Sequence, residues 1–229
     1  MHRNDFQGVI FDMDGLMFDT ERLAAECWFQ IGSEVGIDVT EDFLSRARGL
    51  TGPEYRAFFE NHFGPSFDYD DANSKKRTLF WNHIEKDGIP IKTGLNELLR
   101  FLKESNIRTA MATASREGIA FRYLDLAGVR PFFDEFVFGN QVTYGKPNPE
   151  IFLTAANCLG VCPEKTIVLE DSINGVKAGI AGGFHTIMIP DLTQPTPELE
   201  KQLSFKCENL SQVISYMKEQ CLFSHRRIN

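Results

Sequence analysis

Gly8-Val9-Ile10-Phe11-Asp12-Met13-Asp14-Gly15-Leu16 starts as an uninterrupted apolar run and then sets two carboxylates and a glycine close together. A short apolar run closed by a turn signal reads as a buried strand. Alternate strand residues share a face, so Asp12 and Asp14 point the same way at the C-terminal edge of that strand. Gly15 lets the backbone bend there. Two carboxylates held so close repel, and either a bound divalent cation or a shared proton must compensate. A donor set made only of oxygen suits Mg2+. An acidic turn without a ligand is the competing reading at this point.

Working outward, Thr20 to Val35 places Leu23, Ala24, Cys27, Trp28, Ile31 and Val35 on one helical stripe, with Thr20 as its N-cap. Helical spacing recurs over Thr40 to Arg48, Pro53 to Phe63 and Asp70 to Lys86, broken by Gly36, by residues 49–52 and by Gly64-Pro65. From Thr93 the texture changes. A helix carrying Leu95, Leu98, Leu99 and Leu102 leads to the strand 107–112, and strands at 135–138, 166–169 and 186–189 then alternate with helices at 118–127, 149–159 and 173–181. Two further helical stretches follow near Pro197 and Leu210. This pattern predicts an α/β fold, a doubly wound parallel sheet covered on both faces. The expected domains are an α/β core over residues 1–18 and 92–229 and a smaller all-helical domain over 19–91, inserted after the first strand.

The chain has 229 residues, long enough for a real core, with 42% apolar and 24% charged residues, as expected of a stably folded protein. Its formal net charge of -8 argues against a broad nucleic-acid surface or an anionic membrane as partner, while leaving room for a small electropositive pocket. No apolar run approaches the roughly 20 residues of a membrane span. Cys27, Cys158, Cys162, Cys207 and Cys221 form no CxxC pair, and no basic-plus-apolar leader precedes the first strand, so reduced thiols and a cytoplasmic location are expected. Cys158 and Cys162 read as packing residues, not ligands, because Gly160 between them ends a helix.

In open parallel sheets ligands bind beyond the carboxyl ends of the strands. Four such ends carry polar groups here. Asp12 and Asp14 follow the first strand. Thr113-Ala114-Ser115 follows the second and leads into a helix, where a hydroxyl and free N–H groups can hold an anion or simply cap the helix. Lys146 lies in Gly145-Lys146-Pro147-Asn148-Pro149, a setting that fixes an ammonium suited to a phosphoryl group. Glu170-Asp171 ends the strand 166–169, with Ser172 and Gly175 opening the next helix. Each segment has an ordinary reading as a cap or solvated loop. Together they place Asp12, Asp14, Thr113, Lys146 and Asp171 on one edge of one sheet.

This order of segments resembles the haloacid dehalogenase superfamily over nearly the whole chain, through DMDG at 12–15, Thr113, Lys146 in GKPNP, and Glu170-Asp171 in EDSINGVKAG. The helical insertion resembles the cap of its beta-phosphoglucomutase-like branch. The resemblance implies an aspartyl-phosphate mechanism in which Asp12 is the nucleophile and Asp14 the acid and base. It implies that Thr113, the adjacent Ala114 and Lys146 hold the phosphoryl group. It also implies Mg2+ bound by Asp12, the Asp14 carbonyl and Asp171, with Glu170 beside them.

Within that family Asp14 favours phosphate esters, since dehalogenases lack the second aspartate. Ala24 and Gly52 stand where the sugar phosphomutases carry a histidine and an arginine, and Glu117 where they tend to carry asparagine. The implied function is therefore a Mg2+-dependent phosphatase acting on a small phosphorylated metabolite, a sugar phosphate in the first instance. A sugar phosphomutase is the alternative, and a non-catalytic binding protein the remote one. The loop at 48–52 nominates Arg48 and Thr51 as substrate readers, and Tyr144, Arg116 and Arg46 as further candidates. Neither nucleic acid nor membrane is expected as partner. Oligomeric state is left open, and a monomer is compatible with it.

Overall fold

The computed structural model describes residues 6–48, 50 and 52–226, the side chains of 221–226 excepted. The chain divides into two compact units: one runs to Asp19 and resumes at Ile91, and the other is Thr20–Pro90.

The first unit is built on a parallel sheet, six-stranded among the described residues, in the order β3-β2-β1-β4-β5-β6. The strands are β1 (Gly8–Phe11), β2 (Arg108–Thr113), β3 (Glu135–Phe138), β4 (Thr166–Glu170), β5 (His185–Met188) and β6 (Phe205–Lys206). β1 is central, pairing β2 on one side and β4 on the other, with Phe11 in register with both Met111 and Leu169. Strand order therefore reverses at β1, and in open α/β sheets the carboxyl end of such a strand is where ligands bind. One face of the sheet buries Ile10, Ala110, Ala112, Val137 and Val168 together with Phe152, Ala155 and Leu159 of the helix Glu150–Leu159. The helix Leu95–Glu104 turns Leu95, Leu98, Leu99 and Leu102 inward, as its 3-4 spacing predicts. Each such burial stabilises the fold by about 2 kcal/mol.

The doubly wound α/β class expected from the sequence is what forms. Three local details differ. Thr113 and Glu170 are the last residues of their strands and do not follow them. β6 is too short and exposed to leave an apolar pattern. Cys158 and Cys162, expected to pack, are both exposed, and the four described cysteines are free thiols.

The second unit is helical: α1 (Thr20–Val35), α2 (Glu41–Ala47), α3 (Gly52–Phe63) and α4 (Tyr69–Asp87). Thr20 is the first helical residue of α1, whereas Thr40 and Asp68 cap α2 and α4 by accepting from Phe43 N and Asp71 N. Its core is aromatic. Phe59 is fully buried, with ring centroids 4.6 Å from Trp28 and 4.8 Å, edge-on, from Phe43. Among the described residues, no helix is long and apolar enough to cross a membrane.

Candidate active site

The site begins where β1 ends. Asp12 N donates to Leu169 O at 3.1 Å, which extends the pairing with β4 by one residue and keeps Asp12 only 7% exposed. Met13 is fully buried, and Asp14 beside it is half-buried. The chain then turns: Met17 N donates to Met13 O at 2.9 Å, and Gly15 adopts a φ of 79°. A side chain at Gly15 is excluded twice over, because its Cβ would also lie 2.3 Å from Asp171 Oδ2.

Lys146 reaches this point from the loop between β3 and the helix Glu150–Leu159. Its Nζ donates to Asp12 Oδ1 and, at 2.6 Å, to Glu170 Oε1. The ammonium also lies 4.8 Å from the centroid of the Phe152 ring, an apolar wall that favours a cation. The loop is tied down by Glu150, whose two carboxylate oxygens accept from Thr143 N and Tyr144 N at 2.8 Å each. Those two N–H groups hold the Glu150 carboxyl below its ordinary range.

Glu170 is completely buried and fully engaged. Its Oε2 accepts from Asp171 N at 3.0 Å and from Ser172 N and Ser172 Oγ at 2.9 Å each, while Oε1 faces Lys146. Ser172 also caps the helix Ile173–Ala181, accepting from Gly175 N at 3.1 Å. The helix must pass Glu170 closely, since a Cβ on Gly175 would lie 1.7 Å from Glu170 Oε1.

Asp12, Glu170 and Asp171 each offer a carboxylate oxygen within 4.8 Å of the others, and all three are buried. The Lys146 ammonium pairs with two of these carboxylates, Asp12 and Glu170, and Asp171 lies close to both. Burial pushes the Asp12 carboxyl up to about 8, Lys146 opposes that rise, and Glu170 and Asp14 add to it. Although burial works against the Lys146 ammonium, Asp12 and Glu170 hold it above its ordinary value. A hard divalent cation with oxygen ligands fits this donor set.

Thr113 and Asp14 meet through Ser115. Ser115 N donates to Thr113 Oγ1 at 3.0 Å, and Ser115 Oγ donates to Asp14 Oδ2 at 2.7 Å. Ala114, between them, is exposed, and its backbone packs on Gly139, where a Cβ would lie 2.7 Å from Ala114 O.

The geometry thus gathers Asp12, Lys146, Glu170 and Asp171 in one group, and joins Thr113 to Asp14. The Asp14 side chain is engaged by Ser115 and is not part of the carboxylate trio. Arg48 belongs to the helical unit, at the C-terminus of α2, where its guanidinium pairs with Glu41. Thr51 lies outside the described residues. Tyr144 is 63% exposed, and Arg46 lies over the Phe58 ring at 5.7 Å. Sequence reasoning did not single out Ser115 or Glu150. Ser115 read as one more hydroxyl before a helix, and Glu150 carried no reading of its own. The available signals were a second hydroxyl two residues after Thr113 and an acid four residues after Lys146.

Residues 6–183 match the family model described as haloacid dehalogenase-like hydrolase. The chain is 35% identical over 188 residues to the phosphorylated carbohydrates phosphatase of Thermotoga maritima, covering 79% of this chain and 83% of that one. It is 27% identical over 207 residues to hexitol phosphatase B of Escherichia coli O157:H7, covering 88% and 89% of the two chains. The crystal structure of beta-phosphoglucomutase from Clostridium difficile shares the fold, with a TM-score of 0.73 at 23% identity over 98% of this chain and 100% of that one.

Proposed function

The chain belongs to the haloacid dehalogenase-like hydrolase family, with the fold of its beta-phosphoglucomutase-like branch, and from that premise we propose that it is a Mg2+-dependent phosphatase of small phosphorylated sugars. The observation that carries the reading is the junction of Asp12, Lys146 and Glu170 at the carboxyl end of β1. The relatives named as phosphatases of phosphorylated carbohydrates and of hexitols support the substrate class.

Asp12 attacks phosphorus in line, and its oxygen forms the new bond as the ester bond to the leaving group breaks. Asp14 gives a proton to the leaving oxygen, then as a carboxylate takes one from the water that attacks the aspartyl-phosphate. The Thr113 hydroxyl, the Ala114 segment and the Lys146 ammonium hold the phosphoryl oxygens. Glu170 keeps Lys146 aimed. Mg2+ would be held by Asp12, Asp171 and the backbone carbonyl of Asp14, with Glu170 behind them, and when bound would favour the ionised Asp12 and offset the phosphoryl charge. Water is the final acceptor. The residues proposed to read the sugar are Arg48 and Thr51.

The test is phosphate release from a panel of hexose, pentose and hexitol phosphates, with Mg2+ and with a chelator. Hydrolysis of a subset of the panel is expected, lost with the chelator and in Asp12→Asn. Release from no member of the panel, or an unchanged rate in Asp12→Asn, contradicts the reading.

A further inference from the structure

We propose that Ser115 is a positioning residue for Asp14, its hydroxyl determining which carboxyl oxygen passes a proton to the leaving group. The proposal rests on the reading of Asp14 as acid and base given above.

One side chain joins two strand ends. Ser115 Oγ donates to Asp14 Oδ2 at 2.7 Å across 101 residues of sequence, while Ser115 N donates to Thr113 Oγ1 at 3.0 Å. A serine between a strand and a helix ordinarily caps the helix. Here the N-cap position of the helix Glu117–Leu126 is Arg116, with no side-chain cap, and the Ser115 hydroxyl turns back to the β1 end instead.

A serine hydroxyl carries a single proton. Given to Asp14 Oδ2, it assigns the carboxyl group's own proton, in the acid form, to Oδ1. In the first step the Asp12 oxygen–phosphorus bond forms and the ester bond breaks. The leaving oxygen keeps that electron pair and takes the proton from Asp14 Oδ1. In the second step water attacks phosphorus and gives a proton to Asp14 Oδ1, and the Asp12 oxygen recovers its electron pair. Ser115 keeps its proton throughout. Its backbone bond serves the same end: by accepting Ser115 N–H, Thr113 Oγ1 keeps its own proton for another acceptor, a phosphoryl oxygen.

The consequence is a dependence on the leaving group. Para-nitrophenolate departs with little help from a proton, and phenolate needs more. The experiment compares kcat/KM for para-nitrophenyl phosphate and phenyl phosphate, with Mg2+, in the unsubstituted enzyme and in Ser115→Ala, Ser115→Thr and Asp14→Asn. This ratio covers steps only up to ester cleavage, so the shared hydrolysis of the aspartyl-phosphate drops out. General acid catalysis contributes about 10²–10⁴-fold, and Asp14→Asn should lose most of that on phenyl phosphate. Ser115→Ala is expected to lose about tenfold more on phenyl phosphate than on the nitro compound, part of that full effect. Ser115→Thr should restore the balance, with thermal melting unchanged. Equal losses on both esters in Ser115→Ala, or no rescue by threonine, overturn the role of Ser115 if Asp14→Asn still discriminates. Equal losses in Asp14→Asn overturn the reading of Asp14, and this proposal with it.

Discussion

Lys146 Nζ and Glu170 Oε1 meet at 2.6 Å, with the Glu170 side chain 1% exposed and that of Lys146 11% exposed. A charge so buried survives only when paired, and Glu170 in turn is held by three donors from Asp171 and Ser172. Lys146→Ala removes the cation and leaves Asp12 and Glu170 facing each other. Breaking a buried pair costs about 3–5 kcal/mol, and losing a phosphoryl-holding donor costs about 10²–10³-fold in kcat. Chemical denaturation and phosphate release measure the two losses. A variant as stable as the parent would show that the pair does not support the fold.

Gly175 is a glycine because Glu170 occupies the place of its Cβ. In Gly175→Ala, Glu170 must shift away from Lys146 and from its donors. A fall of about 10–100-fold in Mg2+ affinity is expected, the usual cost of disturbing a partner behind the ligands. Titration calorimetry reads it. Unchanged affinity would mean that Glu170 does not support the cation site.

How much of this was visible in the chain follows from what kind of information each feature uses. The strand Gly8–Phe11 and the helix bearing Leu95, Leu98, Leu99 and Leu102 were legible because burial imposes a period on neighbouring residues. Asp12, Lys146 and Asp171 were legible as strand-end polar groups, since topology carries strand ends to one edge. The Ser115–Asp14 bond and the grip of Glu150 on the Thr143 and Tyr144 backbone were not. They depend on where a hydroxyl or a carboxylate turns after the chain has folded, and no periodicity records that. β6 was missed because two exposed residues at a sheet edge bury nothing.

Glu150 gives a prediction with a pH sign. Its carboxyl is held below the ordinary 4.5 by the N–H groups of Thr143 and Tyr144. A group depressed in the folded state contributes stability above its unfolded pKa and loses it as pH falls through the folded value. Glu150→Gln should therefore melt below the parent at neutral pH, with the gap closing as pH drops below 4.5. The freed loop should also lower kcat/KM, by up to about 10²-fold if Lys146 is displaced by about 1 Å. A gap that widens in acid would contradict the assignment.

Cation removal should act on stability as well as activity. A ligand that binds only the folded chain adds about 2.7 kcal/mol at 100 times its Kd. Mg2+ should raise the melting temperature of chelator-treated protein, and Asp171→Asn should abolish that rise while remaining folded. An equal rise in Asp171→Asn would place the cation elsewhere.

The central claim is that Asp12 itself accepts the phosphoryl group. Acid-quenching the enzyme during turnover of a sugar phosphate, followed by peptide mass analysis, tests it most directly. The account predicts the mass of one PO3 unit on the peptide containing Asp12, discharged by hydroxylamine and absent in Asp12→Asn. Phosphate released at the parental rate by Asp12→Asn, or a phosphoryl group found on another residue, would contradict it.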